Sequence, residues 1–178
     1  SFFYNSGSLF ISNLRTPATV TGSTAYGTGT IQLAPDEKSA YINVSFSNLS
    51  SPEIVAHLQI DGNYVYNLPQ GQVSYAAWDF APTGTYSTAD LIAALKAGRI
   101  SISIDTAKFT TGELAGNFVK TSGTAAFNGD IGKWNVASVL TLYETFASAA
   151  AFNQDIGKWE TARVANMASA FNGAAAFN

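Results

Sequence analysis

At 178 residues the chain has room for one well-packed domain and a small second module, and only 12% of it is charged, against about 25% in a typical soluble protein. A net charge of −3 argues against nucleic acid or an anionic membrane as main partner, since either selects a basic stripe and the Lys and Arg residues here are scattered singly. The lack of cysteine excludes disulfides, thiolate metal sites and cysteine nucleophiles, and no run of about 18 apolar residues exists to span a membrane.

Residues 1–15 read as an N-terminal extension or edge strand. Ser1-Phe2-Phe3-Tyr4 lacks the basic start and small-residue cleavage site of a signal peptide and reads as a mature or processed start, while Phe10, Ile11 and Leu14 suit an edge strand. From 16 to 120 apolar and polar residues alternate in short runs. Ile42, Val44 and Phe46 form one apolar face, as do Ile54, Ala56, Leu58 and Ile60, and then Ile100, Ile102 and Ile104. Turns separate the runs at Pro35-Asp36-Glu37-Lys38, Asp61-Gly62-Asn63 and Pro82-Thr83-Gly84. Many short half-buried strands predict an antiparallel β-sandwich or barrel. One helix interrupts it, capped by Ser87 or Thr88, with Asp90 in its first turn, Leu91, Ile92 and Leu95 as its stripe, Lys96 in its last turn and Gly98 as its stop. Residues 121–126 read as a linker.

Beyond the linker the chain repeats itself. Phe127-Asn128-x-Asp130-Ile131-Gly132-Lys133-Trp134 returns as Phe152-Asn153-x-Asp155-Ile156-Gly157-Lys158-Trp159, a period of 152 − 127 = 25 residues, and a third start stands at Phe177-Asn178. Val139, Leu142, Tyr143 and Phe146 fall at i, i+3, i+4 and i+7, as do Val164, Met167, Ala168 and Phe171, which predicts a short helix in each copy. A period of this length marks stacked units that cannot bury an apolar face alone. The expected ladder is Phe127, Trp134, Phe146, Phe152, Trp159 and Phe171, with Phe127, Trp134, Phe152 and Trp159 buried between units. An open edge near Phe171–Asn178 is expected to meet another chain or further repeats of a longer polypeptide. The predicted class is thus mainly β: an antiparallel sandwich with one inserted helix, then a short leucine-rich-like α/β stack.

The inventory of reactive residues is thin. His57 is the one histidine, no Gly-x-Ser-x-Gly elbow accompanies it, and a lone strand histidine reads as structural. A metal held by His57, Gln59 and Asp105 would have one strong ligand, which suits zinc and copper poorly. Carboxylates for glycoside hydrolysis are available in Asp61, Asp79, Asp90, Asp105 and Glu113, but no motif fixes a pair. Gly27-Thr28-Gly29 and Gly112-x-x-x-Gly116 complete no phosphate loop and read as tight bends or close strand approaches. No catalytic residue, metal or cofactor is therefore expected. Asn43-Val44-Ser45 and Asn48-Leu49-Ser50 are glycosylation sequons whose use depends on a secretory route. Tyr64, Tyr66, Tyr75, Trp78, Phe80 and Tyr86 crowd one hairpin and its loop, which makes Tyr64, Tyr66, Tyr75, Trp78 and Phe80, with Phe171 and Phe177, the candidate partner-binding residues.

Two resemblances follow from these residues. Phe-Asn-x-Asp-Ile-x-x-Trp with its Val-x-x-Met/Leu-x-x-x-Phe continuation, over 126–178, resembles repeats of bacterial and mycoplasma surface proteins and of algal proteins, which implies a binding surface and no reaction. Ala56-His57-Leu58-Gln59, the Leu91–Gly98 helix leading into Ile100–Thr106, and Gly112-Glu113-Leu114-Ala115-Gly116 resemble the chordin-type domain. The chain departs from that pattern where Gln59 stands for a second His, Asp105 for a third and Ala115 for an Arg. The combination is similar to non-pigmented linkers of red-algal light-harvesting antennae. That resemblance implies a non-catalytic structural linker of a phycobilisome, on the stromal side of the chloroplast thylakoid, with phycobiliproteins or rod linkers as partners. The other reading is a secreted or cell-surface adhesion or carbohydrate-binding module, and a hydrolase comes third.

Overall fold

The computed structural model of the protein describes residues 9–120, 128, 131, 132, 136, 137, 139 and 141–178. Among the described residues nine strands and one helix run in the order β1 (Leu9–Leu14), β2 (Tyr26–Leu33), β3 (Ala40–Ser47), β4 (Glu53–Ile60), β5 (Asn63–Leu68), β6 (Val73–Trp78), α1 (Thr88–Lys96), β7 (Ile100–Thr106), β8 (Leu114–Asn117) and β9 (Val119–Lys120). They form two antiparallel sheets, ordered β6-β3-β2-β1-β9 and β5-β4-β7-β8, packed as a β-sandwich. Alternation does what its period requires. Ile31, Leu33, Ile42 and Val44 of the first sheet meet Ala56, Leu58, Ile60, Ile100, Ile102 and Ile104 of the second in one core, which α1 closes with Leu91, Ala94 and Leu95.

Two expectations about the strands need correction. Ile54 is 53% exposed although it shares the parity of Ala56, because the β4–β7 register jumps between Glu53 and Val55 and leaves Ile54 as the extra residue of a bulge, turned outward. β1 is not an edge strand: it pairs with β2 from Leu9 to Leu14 on one side and with β9 on the other. Beyond its end Arg15 and Ala115 exchange backbone hydrogen bonds of 3.0 and 2.9 Å, which joins the two sheets at one corner. There the backbones come so close that a Cβ on Gly116 would stand 2.5 Å from Ser12 Oγ and 2.6 Å from the Asn13 carbonyl oxygen. The second glycine of Gly112-x-x-x-Gly116 is therefore a packing requirement.

The helix follows its sequence signals. Ser87 is the N-cap: its Oγ accepts the Asp90 N–H at 3.1 Å, and the Asp90 carboxylate accepts the Ser87 N–H at 2.8 Å, a complete capping box. Gly98 then takes φ +72 just past the C-cap Ala97.

The repeats pack as a second apolar cluster, and β1 is the seam between the two. Phe10 and Leu14 face the inter-sheet core, while Leu9 and Ile11 join Ile131, Val136, Val139, Leu142, Phe146, Ala149, Phe152, Trp159 and Ala170. No helix forms in 141–178, contrary to the i, i+3, i+4, i+7 reading, and the hydrogen bonds say why. N–H groups of Thr145, Ala147 and Ala149 close local turns onto Leu142, Glu144 and Phe146, while those of Leu142, Glu144, Phe146 and Ser148 leave for Asn166, Ala168, Ala170 and Asn172 in the next copy. An α-helix would need all of them for itself. Left-handed φ values at Glu144 (52) and Ser148 (59), matched at Ser169 (55) and Gly173 (77), enforce the turns. Val139, Leu142 and Phe146 still face inward, because a run of three-residue turns returns a side chain to the same face at nearly the helical spacing.

Candidate functional site

His57 lies on β4 opposite Ser103 of β7, and this register brings it beside Asp105. Its Nδ1 stands 3.9 Å from Asp105 Oδ2, and Ser103 Oγ donates to Asp105 Oδ1 at 2.8 Å. The His57 ring is 2% exposed and lies under Tyr64, their centroids 3.8 Å apart. Gly112 covers the other polar members, since a Cβ there would stand 2.7 Å from Ser103 Oγ. The pair is buried, with the Tyr64 ring over the imidazole. Gln59 faces Ser101 and Tyr64 instead, and among the described residues no group of three His, Cys, Asp or Glu side chains is placed to hold a metal.

One polar cluster was not legible as such. Ser103 and Asp105 alternate with Ile102 and Ile104, so they read as a solvent face, yet both are buried, and Glu113 beside them is 0% exposed. Glu113 accepts the Ser50 N–H at 2.9 Å and a very short hydrogen bond from Ser50 Oγ. Burial works to raise its carboxyl, but hydrogen bonds from Ser50, Ser23 and Thr106 outweigh burial and hold it below the usual range. Two loops and the end of β7 are thereby tied to the start of β8. The Gly-Glu of the chordin-like pattern was the available signal.

The aromatic hairpin divides. Tyr64 is 60% exposed and forms the outermost ring. Tyr66 is half-buried, its hydroxyl donating to the Ala77 carbonyl at 3.0 Å and its ring 5.6 Å from Trp78. Tyr75, at φ +55, packs edge-on to Tyr41, and burial pushes its hydroxyl up to about 12, with Arg163 of the second repeat pulling the other way. Trp78 and Phe80 are corrections to the partner-binding set: both are buried in the inter-sheet core, 4.5 Å apart. Even positions of β6 turn inward at this end, so a run that looks like a sticky loop in sequence is core filling.

The repeat stack holds the remaining candidates. Phe146 and Phe152 stack at 4.3 Å and 4°, and Phe171 and Phe177 repeat that pair at the same 4.3 Å and 4°. Across copies Phe146 meets Phe171, and Phe152 meets Phe177, each at 5.5 Å and 12°. Trp159 is buried and its Nε1 donates to the Ile131 carbonyl at 2.9 Å. Asn153 N–H donates to Asn128 Oδ1, and Asn178 N–H to Asn153 Oδ1, at 2.8 and 3.3 Å. Phe127 and Trp134 of the expected ladder lie outside the described residues. Whereas Phe146 and Phe152 are fully buried, Phe171 and Phe177 keep part of their rings open.

Comparison with family models matches residues 10–118, more than half of the chain, to the CHRD domain. The chain belongs to the CHRD-domain family. A second family, described as Mycoplasma protein of unknown function, DUF285, matches residues 105–178. No curated protein and no solved structure matches the chain. The CHRD match starts at Phe10, within β1, and ends at Phe118, whose ring lies in the inter-sheet core. The CHRD domain thus takes in β1, while the repeats rest on the outward side of that strand through Leu9 and Ile11.

Proposed function

We propose that the protein is a non-catalytic structural linker that binds other proteins within a large assembly. The observation that carries this reading is the asymmetry of the repeat stack: one part packs on the CHRD sandwich at Leu9 and Ile11, and the other ends in the half-open Phe171–Phe177 pair. The burial of His57 beneath Tyr64 supports a non-catalytic role. The setting follows from the resemblance to non-pigmented antenna linkers: a phycobilisome, stromal side of the chloroplast thylakoid, with phycobiliproteins or rod linkers as partners. A net charge of −3 suits a position on the outside of rods or between them, since a linker threaded through acidic pigment proteins would be basic.

Affinity isolation of the protein from a chloroplast fraction tests this. Phycobiliproteins recovered in stoichiometric amount are the expected result, and their absence overturns the setting. One observation favours the adhesion module as a second reading: Asn48 of the second sequon is exposed on a left-handed turn at φ +62. A glycan on Asn48 of the native protein selects that reading over the first.

A further inference from the structure

The two copies of the repeat share their internal backbone bonds and differ in what their remaining N–H groups do. In the first copy Tyr143 N–H donates to Thr141 Oγ1, and Thr145, Ala147 and Ala149 donate to Leu142, Glu144 and Phe146. Twenty-five residues on, Ala168 N–H donates to Asn166 Oδ1, and Ala170, Asn172 and Ala174 donate to Met167, Ser169 and Phe171. The N–H groups of Leu142, Glu144, Phe146 and Ser148 reach the carbonyls of Asn166, Ala168, Ala170 and Asn172 at 2.8, 3.1, 2.8 and 2.7 Å. Their counterparts, the N–H groups of Met167, Ser169, Phe171 and Gly173, have no acceptor among the described residues.

Their direction follows from peptide geometry. The carbonyl of Asn166 and the N–H of Met167 belong to one planar trans peptide group and point opposite ways. The same holds for Ala168 with Ser169, Ala170 with Phe171, and Asn172 with Gly173. Since all four carbonyls point into the first copy, all four N–H groups point away from it, in a row beside the Phe171–Phe177 pair.

We propose that this end face binds a further 25-residue unit of the same type. The incoming unit supplies four carbonyls to the N–H groups of Met167, Ser169, Phe171 and Gly173 and stacks its own Phe pair on Phe171 and Phe177. This deepens the linker reading and rests on it. Two features select that occupant. An ordinary strand spaces alternate carbonyls about 6.8 Å apart, whereas hydrogen-bonded turns bring residues i and i+3 within about 7 Å, so only a chain compressed by the same left-handed turns keeps register with all four donors. Two copies of this protein placed face to face by a two-fold axis would set N–H rows against N–H rows. Both units within 128–178 are already engaged with each other, so the occupant comes from elsewhere.

The test titrates a fluorescein-labelled synthetic peptide of residues 154–178, which carries the four carbonyls and one whole Phe pair, into the full 178-residue protein and follows anisotropy, with amide exchange read residue by residue. Saturable binding is expected, with slowed exchange at Met167, Ser169, Phe171 and Gly173. Met167→Pro removes one donor and no internal hydrogen bond, and it weakens binding about tenfold; a peptide with both phenylalanines changed to serine does not bind. No saturable binding, equal binding of a scrambled peptide, or protection elsewhere overturns the proposal, and amide exchange on the unaltered protein decides should the proline variant misfold. Self-association of the free protein, abolished by Phe177→Ala, overturns it in favour of a second copy of this chain. Phycobiliproteins that still co-isolate with the Met167→Pro variant, together with a peptide that fails to bind, leave the linker reading standing and sink this one.

Discussion

Glu113 is fully buried and its carboxyl is held below the ordinary value of 4.5, with burial opposing and the Ser50, Ser23 and Thr106 hydrogen bonds prevailing. A group depressed on folding contributes stability above its unfolded pKa and loses that contribution as pH falls through the folded value. The protein should therefore lose stability on acidification below about 4.5, and Glu113→Gln should cost about 1.5–3 kcal/mol at pH 7 and less at pH 3. Urea unfolding at the two pH values checks both. An equal cost at pH 7 and pH 3 would mean that shape, not charge, is what Glu113 supplies. A second residue-scale outcome concerns the sequons. Asn43 is 7% exposed and its Oδ1 accepts the Tyr75 N–H at 3.1 Å, whereas Asn48 is exposed. Folded protein secreted from a eukaryotic host is expected to carry glycan at Asn48 and none at Asn43, read by peptide mapping; a glycan at Asn43 contradicts the burial. The sequence shows both Asn-x-Ser patterns equally well, and only the outer packing of the first sheet separates them.

At the level of elements, α1 shows how much local chemistry decides. Ser87, Asp90, Lys96 and Gly98 mark its ends in the sequence, and the capping box and the left-handed glycine stand where those residues put them. Ser87→Ala is expected to lower stability by about 1 kcal/mol, and Ser87→Thr to recover most of it, as thermal unfolding would show. Loss of less than a few tenths from the alanine variant would mean that α1 is held by Leu91, Ala94 and Leu95 alone. The repeat segments went the other way. Their apolar spacing predicts a helix with one inward face, and the face is as predicted, but the backbone donates alternately to itself and to its neighbour. Spacing reports the face of a chain and leaves its hydrogen-bond partners open, so turns of three residues and helices of 3.6 share one signature.

At the scale of the molecule, two apolar clusters meet along β1 without merging. Phe152 is fully buried in the second, stacked on Phe146 and facing Phe171 and Phe177. Phe152→Ala should cost about 3–5 kcal/mol and act locally, raising amide exchange over 141–178 while the strands β2, β4 and β7 keep their protection. Hydrogen-exchange mass spectrometry reads this, and equal loss of protection in both regions would show one cooperative unit instead.

The amino-acid sequence by itself determined what is local or periodic: the alternating strands, the capped helix, the 25-residue period, and the close glycine approaches. These depend on side-chain parity and backbone preference within a few residues, which a single chain displays openly. Tertiary structure alone decided what depends on neighbours far along the chain. It placed β1 inside its sheet, turned Ile54 outward at a bulge, sank Trp78 and Phe80 into the core, and buried Ser103, Asp105 and Glu113 on a face that alternation marks as polar. It also separated the satisfied N–H row at Leu142 to Ser148 from the open one at Met167 to Gly173, two stretches that follow the same pattern in sequence. The difference between them lies in which copy has a neighbour on its far side, and a repeat carries no such information within itself.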